Sequence, residues 1–269
     1  MKELNKLYCD TSKLVVRQVN KNVAKDIIVN NHYSGIWTKV SYAIGLFHVS
    51  NDEHKFFGGV NEQLIGVACY GDPVGRHSGA SISELLDRTE VLELTRLFVF
   101  DGYGTNIESW FVGKSFEWLR ENAPHIKALV SYSDPKAGHL GTVYQATNWI
   151  YQGMNTDIAL MPNYGISLSN DPYKWIHSRT VFSMWGSGNL EALRAAIGKD
   201  GYKEFWRREE PPKHRYIQII GEDKKEKKDL KKRLKHEIRP YPKNTQEFNK
   251  AIQHHTTIEP ETDIKTKFW

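Results

Sequence analysis

The sequence predicts an α/β fold built on a mixed sheet, and three observations predict it. Two strand-like runs, 42–50 and 63–70, flank a turn containing Gly58 and Gly59, the pattern of an antiparallel hairpin or meander. An apolar run at 91–100, a helix-periodic run at 105–122 and a second apolar run at 126–133 then follow as strand, helix, strand, which implies a right-handed parallel crossover. With 39% hydrophobic residues and 8 Trp in 269 residues, the chain can bury a sizeable core.

Each element has a local reason. LVVRQV, 14–19, reads as the first strand, and Asn20 as the cap of a helix that carries Val23, Ile27 and Ile28 on one face. NHYSGIWTKV, 31–40, reads as a loop, and 71–89 as loop with one short helix. In 105–122, Ile107, Phe111 and Leu119, with Val112 and Phe116, recur at helical spacing. Thr105 and Glu108 have the spacing of a capping box, and Pro124 ends the helix. A short helix is predicted at 142–149, stopped near Gly153, and strands at 180–185 and 216–220. Beyond Gly221, Leu230, Leu234 and Ile238 make a narrow apolar stripe on a basic helix, and 244–269 reads as a loosely ordered polar tail. The predicted organisation is an arm, 1–12, a catalytic domain, 13–220, and a basic helical extension with its tail, 221–269.

Composition excludes several classes. Two Cys cannot build a disulfide framework or a cysteine-rich zinc site. No run approaches the ~18 apolar residues of a membrane helix, and MKELNKLYCD is not a secretory signal, so a cytosolic protein without a membrane partner is expected. The net charge is +5, and residues 221–239 hold seven Lys and two Arg against two Asp and three Glu. A local basic excess is the footprint of a polyanion, and Lys224, Lys225, Lys228, Lys231, Lys232, Arg233 and Lys235 are the candidate nucleic-acid contacts; a solvated helix of mixed charge explains the same run.

Three segments carry candidate chemistry. Strict alternation puts Arg96 on one strand face with Leu92, Leu94, Phe98 and Phe100, where an unpaired cation is costly, so it calls for an anion: a substrate group, or Glu108 or Asp134 in an ion pair. The strand IKALV runs into SYSDPKAGHLGTVYQATNW, which places Tyr132, Asp134, His139, Tyr144 and Asn148 in one short stretch after a strand's C-terminal end, where ligands bind in open α/β sheets. In NHYSG, His32 and Tyr33 precede Gly35 and Trp37, an aromatic loop suited to stacking on a base. No diagnostic metal-ligand spacing is present, and no metal is expected.

These segments together resemble the GNAT acyltransferase fold: ELTRLFV, a capped helix, LVSYSD, and a short helix VYQATNW closing on YQG follow its central and C-terminal halves. More closely, NHYSG, LIGVACYG, ELTRL, NIESWFVGKS, SYSDPKAGHLGTVYQATNW and KHRY, spanning 30–216, with PYPK at 240–243, resemble the Mom family of phage adenine-modifying enzymes. The resemblance implies carbamoylmethylation of adenine N6 in DNA, protection of phage DNA from host restriction, and action in the bacterial host cytoplasm. It implies a site of His32, Tyr33, Arg96, Asp134 and Tyr144, with Ser109 as an addition.

One departure bears on the donor. The fold's usual Gly- and Arg-rich loop, whose N–H groups bind the coenzyme A pyrophosphate, reads DGYGTNIES here, with no Arg and with Glu108 in the first helical turn. Acetyl-coenzyme A is the donor the fold implies; glycyl-tRNA is the alternative that already holds both carbons and the nitrogen, making tRNA a candidate partner. In the expected chemistry Asp134 is the base, with His32 second; Arg96, Tyr144 or backbone N–H groups hold the oxyanion, and Tyr33 or Trp37 stacks on an extruded base. The sequence does not fix the oligomeric state, and a dimer is compatible with it.

Other classes remain open on sequence. An N6-adenine methyltransferase wants an Asp-Pro-Pro-aromatic motif, which Asn170-Asp171-Pro172-Tyr173 misses by one Pro. A GNAT acetyltransferase acting on a protein or small amine shares the fold. A non-catalytic DNA-binding protein would need the basic helix but not Asp134. A zinc deaminase needs cysteines the chain lacks.

Overall fold

The computed structural model describes residues 10–52, 59–73, 77–135, 138–154, 164–169, 174–209, 212–243 and 259–261. The chain divides into two compact units: one holds 1–132, 141–152 and 215–241, the other 133–140, 153–214 and 242–269.

The first unit is organised on a seven-stranded mixed sheet. Its strands are β1 (Leu14–Gln18), β2 (Tyr42–Asp52), β3 (Gly59–Gly71), β4 (Val91–Val99), β5 (Ala128–Ser133), β6 (Ile150–Met154) and β10 (His214–Ile219), in the order β1-β2-β3-β4-β5-β10-β6. β1 to β4 pair antiparallel and β4 with β5 parallel, the mixed sheet the sequence predicts. Helices cover both faces, because alternate strand residues point to opposite sides. On one side Leu92, Leu94, Leu129 and Tyr216 pack with Phe111, Phe116 and Leu119 of α2 (Ile107–Asn122). On the other, α1 (Lys21–Asn31) buries Ala24 and Ile28 against Ala43, Val67 and Cys69. On that same side α6 (Lys224–Lys232) buries Leu230 against Val91, Val130 and Ile217.

The second unit holds β7 (Tyr164–Ser167), β8 (Ile176–His177), β9 (Phe205–Glu209) and β11 (Glu259–Glu261), in the order β11-β9-β7-β8. Ile166, Val181, Leu193, Ile197 and Phe205 form its core with α4 (Ser178–Trp185) and α5 (Leu190–Lys199).

Several local expectations need correction. Residues 180–185, read as a strand, belong to α4: Val181 and Trp185, four apart, face the core while Phe182 and Met184 stay exposed. The short helix α3 (Thr142–Ala146) ends early because Asn148 takes a left-handed φ of 58°, and the chain continues as β6 rather than stopping near Gly153. Thr105 and Glu108 form no capping box; the cap of α2 is Asn106, itself left-handed at φ 64°, with no side-chain bond. In α1, Ala24 replaces Val23 on the buried face, and Val23 is exposed. Asn20 does cap α1, accepting from the Asn22 N–H at 2.8 Å.

The basic helix also differs in extent. α6 stops at Lys232, so Leu234 reaches the core as a bridge partner of Ser83, and Ile238 lies exposed. Within the expected polar tail, 259–261 pairs with β9. Asn170-Asp171-Pro172-Tyr173 lies outside the described residues, as does most of the tail and of the arm. Among the described residues no helix is long and apolar enough to cross a membrane, and no group of three His, Cys, Asp or Glu is placed to hold a metal ion.

Candidate active site

The site begins with an irregularity in β4. Cys69 pairs with Arg96 and Tyr70 with Leu94, so Thr95 is an extra residue, a β-bulge. The bulge shifts the alternation by one. Leu92 and Leu94 face α2, but beyond Thr95 it is Leu97 and Val99 that continue this face, while Phe98 packs on the α1 side. Arg96, opposite Cys69, therefore leaves the face that strict alternation gave it. Its Nε donates to the Ile36 carbonyl at 2.9 Å and its Nη1 to the Thr95 carbonyl at 2.6 Å. Neither Glu108 nor Asp134 pairs with it, and among the described residues it makes no ion pair, so its charge is not neutralised by a carboxylate.

The second irregularity is between strands. β4 and β5 pair only at Val91–Ala128, Leu92–Leu129 and Glu93–Val130, although both strands run on. Past that point a side chain takes over: Ser131 Oγ donates to the Leu94 carbonyl at 2.8 Å. Ser131 Oγ also lies 2.8 Å from the Tyr144 hydroxyl. Ser131 is the donor in both bonds, so its one hydrogen is shared between the Leu94 carbonyl and the Tyr144 oxygen, and the Tyr144 O–H is not given to Ser131. Tyr144 is wedged between Trp149 and Tyr216, with ring centroids at 5.1 and 5.0 Å. Tyr216 fills the space a side chain at Gly141 would need: a Cβ there would sit 2.5 Å from its ring, and Gly141 has φ +77°.

Burial pushes the Tyr144 hydroxyl up to about 12, and the nearby Tyr33 and Glu93 push it the same way, against the Ser131 bond that lowers it. Tyr33 follows the helix on one face of the sheet, whereas Tyr144 packs on the cluster of the other. Burial also raises Tyr70, whose hydroxyl bonds Ser115 Oγ at 2.5 Å, and Tyr216. These phenols keep their protons in the folded protein at a pH where the unfolded chain has lost them. Stability from them is whole below about pH 10 and is lost as pH rises through the raised values. We expect the melting temperature to fall steeply above about pH 10, with a separate step of tyrosinate absorbance that accompanies unfolding, over and above that of exposed tyrosines such as Tyr33; unfolding with no such step would contradict the burial of these groups.

The NHYSG loop joins this cluster. The Ser34 N–H donates to His32 Nδ1 at 3.1 Å, so the neutral ring carries its proton on Nε2 and offers a donor rather than the lone pair a base needs. His32 and Tyr33 stack at 4.3 Å, and Tyr33 is 65% exposed. Trp37, expected to stack on a base, is instead partly buried against the α1-side cluster.

The remaining candidates lie elsewhere or do local work. Ser109 Oγ donates to the Asn106 carbonyl in the first turn of α2. Tyr132 bonds Arg215, and Asn148 is exposed at the left-handed turn after α3. Asp134 and His139 belong to the second unit; Asp134 pairs with Lys213 at 3.1 Å, and His139 is exposed. The side chains of Lys224, Lys225, Lys228, Lys231, Lys232, Arg233 and Lys235 are exposed on and after α6. Sequence reasoning missed two residues, Ser131 and Arg215. Arg215 is 3% exposed and donates to Gln152 and Ser81 rather than to a carboxylate, with burial pulling its pKa down. Its signal was an arginine inside a strand, HRYIQI, that holds no other Arg, Lys, Asp or Glu.

Comparison with known proteins decides the family, since the Mom protein family model matches residues 13–243. The chain belongs to the Mom family. The methylcarbamoylase Mom of Escherichia phage Mu is 24% identical over 242 residues, covering 87% of this chain and 85% of that protein. A solved Salmonella typhimurium protein, yncA, described as an acetyltransferase with its cofactor acetyl-CoA, aligns over 78% of this chain and 95% of its own at 8% identity, with a TM-score of 0.38. The Mom match takes in β4, β5, α3, β10 and α6, and so Arg96, Ser131, Asp134, Tyr144 and the basic segment.

Proposed function

We propose that this Mom-family protein is a GNAT-like transferase that hypermodifies adenine N6 in DNA, adding a carbamoylmethyl or glycyl-type unit that shields phage DNA from restriction. The reading rests on family membership, and two features support the chemistry: Arg96, which no carboxylate among the described residues neutralises, and the Tyr144 phenol, which is bonded to Ser131 and acted on by the charge of Tyr33. A methyl transfer develops no oxyanion for such groups to hold. An acyl transfer does, because a carbonyl oxygen gains negative charge as it is attacked.

Residues 101–110 are a poor fit for the coenzyme A pyrophosphate. They hold no Lys or Arg, Asp101 and Glu108 are both exposed, and the helix cap Asn106 is left-handed with no side-chain bond. A carboxylate at that helix end competes with phosphate for the same dipole. Acetyl-coenzyme A also lacks the nitrogen of the product. A glycyl ester such as glycyl-tRNA supplies both carbons and the nitrogen, and the exposed lysines of α6 suit a nucleic acid. Adenine N6 would form a bond to the glycyl carbonyl carbon, the ester C–O bond would break, and the ribose oxygen would leave with a proton. Attack of the glycine amine on ring C6, with cleavage of the C6–N6 bond, converts the glycyl adduct to its carbamoylmethyl isomer.

N6 needs a base because its lone pair is delocalised into the ring. Asp134 is the candidate from its place in the chain, three residues after Ser131, and its carboxylate is held by Lys213. Asp134→Asn is expected to lower modification by about 10²–10⁴-fold. Mass spectrometry of nucleosides from DNA of cells expressing the protein tests both statements. An adduct of one glycyl unit on deoxyadenosine supports the reading; a methyl adduct, or no adduct, sinks it. Full modification by Asp134→Asn would remove Asp134 as the base.

A further inference from the structure

We propose that the tip of the 32–37 loop is a wedge for duplex DNA: Ile36 enters the base stack and holds open the place that the target adenine leaves. This inference rests on the adenine-modifying function proposed above and adds to it the means of reaching the base. Ile36 is 62% exposed, beside the similarly exposed Tyr33, while the aromatic residue next to it, Trp37, is partly buried against the α1-side cluster.

A single exposed isoleucine is ordinary. This one differs because its backbone is pinned on both sides. Upstream, the Ser34 N–H bonds His32 Nδ1 at 3.1 Å, Ser34 Oγ lies 2.9 Å from the same nitrogen, and Gly35 turns at φ +56°, a conformation that favours glycine. Downstream, the Ile36 carbonyl accepts from Arg96 Nε at 2.9 Å. The side chain is therefore held out on a fixed stem, so little conformational entropy is lost when it is inserted.

Its neighbours match what a duplex presents. Arg96 brings a cation with no carboxylate partner to the base of the tip, suited to a backbone phosphate or the reacting group. Tyr33, stacked on His32, offers a flat face to an extruded base and is near enough to act on Tyr144 by charge. An enzyme that works on a base must first take it out of the stack, and apolar wedges are a common device for unstacking a step. The tip thus places an apolar wedge, a stacking ring and a cation within five residues of chain and one strand.

The test compares duplex and single-stranded oligonucleotides of identical adenine-containing sequence. Each is incubated with the purified full-length chain and a cell extract that supplies the donor, and modified deoxyadenosine is measured. For Ile36→Ala, modification of the duplex should fall about tenfold or more, and that of the single strand less than about twofold, because a single strand has no stack to open. Ile36→Leu, which keeps the apolar bulk, should retain most duplex activity. Equal losses on both substrates, or no loss on either, would overturn the wedge while leaving the adenine chemistry standing. Wild-type protein that modifies neither substrate would overturn the proposed function and the wedge with it.

Discussion

Arg96→Ala is expected to lower adenine modification by about 10²–10³-fold while the protein stays folded. The guanidinium is held by two backbone carbonyls and by no carboxylate among the described residues. Carbonyl bonds fix its position without cancelling its charge, which leaves that charge available to a phosphate or a developing oxyanion. The fold depends little on it, because the residue is only half-buried and β4 is already paired to β3 on either side of the bulge. Arg96→Lys should recover only a small part of the activity, since a point charge cannot both reach the Ile36 carbonyl and present a planar face of N–H groups. Nucleoside mass spectrometry alongside thermal denaturation checks this. A variant that unfolds near room temperature would mean that Arg96 holds the structure rather than the substrate, and near-normal modification would remove it from the site.

The strand that carries Arg96 shows how far the sequence could be read. Its existence, its boundaries and its parallel partner were all legible, because apolar residues dominate 91–100 and 126–133 and a helical period lies between them. The bulge at Thr95 was not. One extra residue leaves no mark on composition, yet it exchanges the faces of everything after it. The anomaly of an arginine in an apolar strand rested on strict alternation, which the bulge breaks: Arg96 does not share the face of Leu92 and Leu94.

The same limit explains the other differences. Thr180, Val181 and Phe182 favour a strand locally, and burial of Val181 and Trp185 one helical turn apart overrides that preference. Trp37 was the obvious stacking residue by type, and Ile36 was not. Which of two adjacent residues faces water depends on the bond from Arg96, sixty positions away, and no local pattern records it. His32, Tyr33 and Tyr144 came from motifs, and the structure adds that the His32 and Tyr33 rings lie 4.3 Å apart and that Tyr33 acts on Tyr144 by charge. Ser131 looked like one more residue of a buried strand, because its role appears only once Leu94 and Tyr144 are seen on either side of it.

Ser131 leads to the second large effect. Tyr144→Phe is expected to lower modification by about 10²-fold or more, and Ser131→Ala by about tenfold. With its pKa raised to about 12, Tyr144 is a neutral phenol at working pH, so it acts through its O–H and not as a phenolate. At rest Ser131 Oγ is the donor to both the Leu94 carbonyl and the Tyr144 oxygen, sharing its one hydrogen between them. The Tyr144 O–H can therefore be given to an oxyanion, and Ser131 can then give its hydrogen wholly to the Tyr144 oxygen. That bond keeps the phenol oxygen hydrogen-bonded and strengthens the phenol as a donor while charge develops. Ser131 is thus a positioning residue that acts only through Tyr144, and the two substitutions should not add. The double variant is expected to match Tyr144→Phe alone, within about twofold, because removing the phenol removes the only route by which Ser131 is felt. Additive losses in the double variant, read from rates of adduct formation, would show that Ser131 serves the fold instead. Ser131→Ala with a normal melting temperature and reduced modification would tie it to the chemistry.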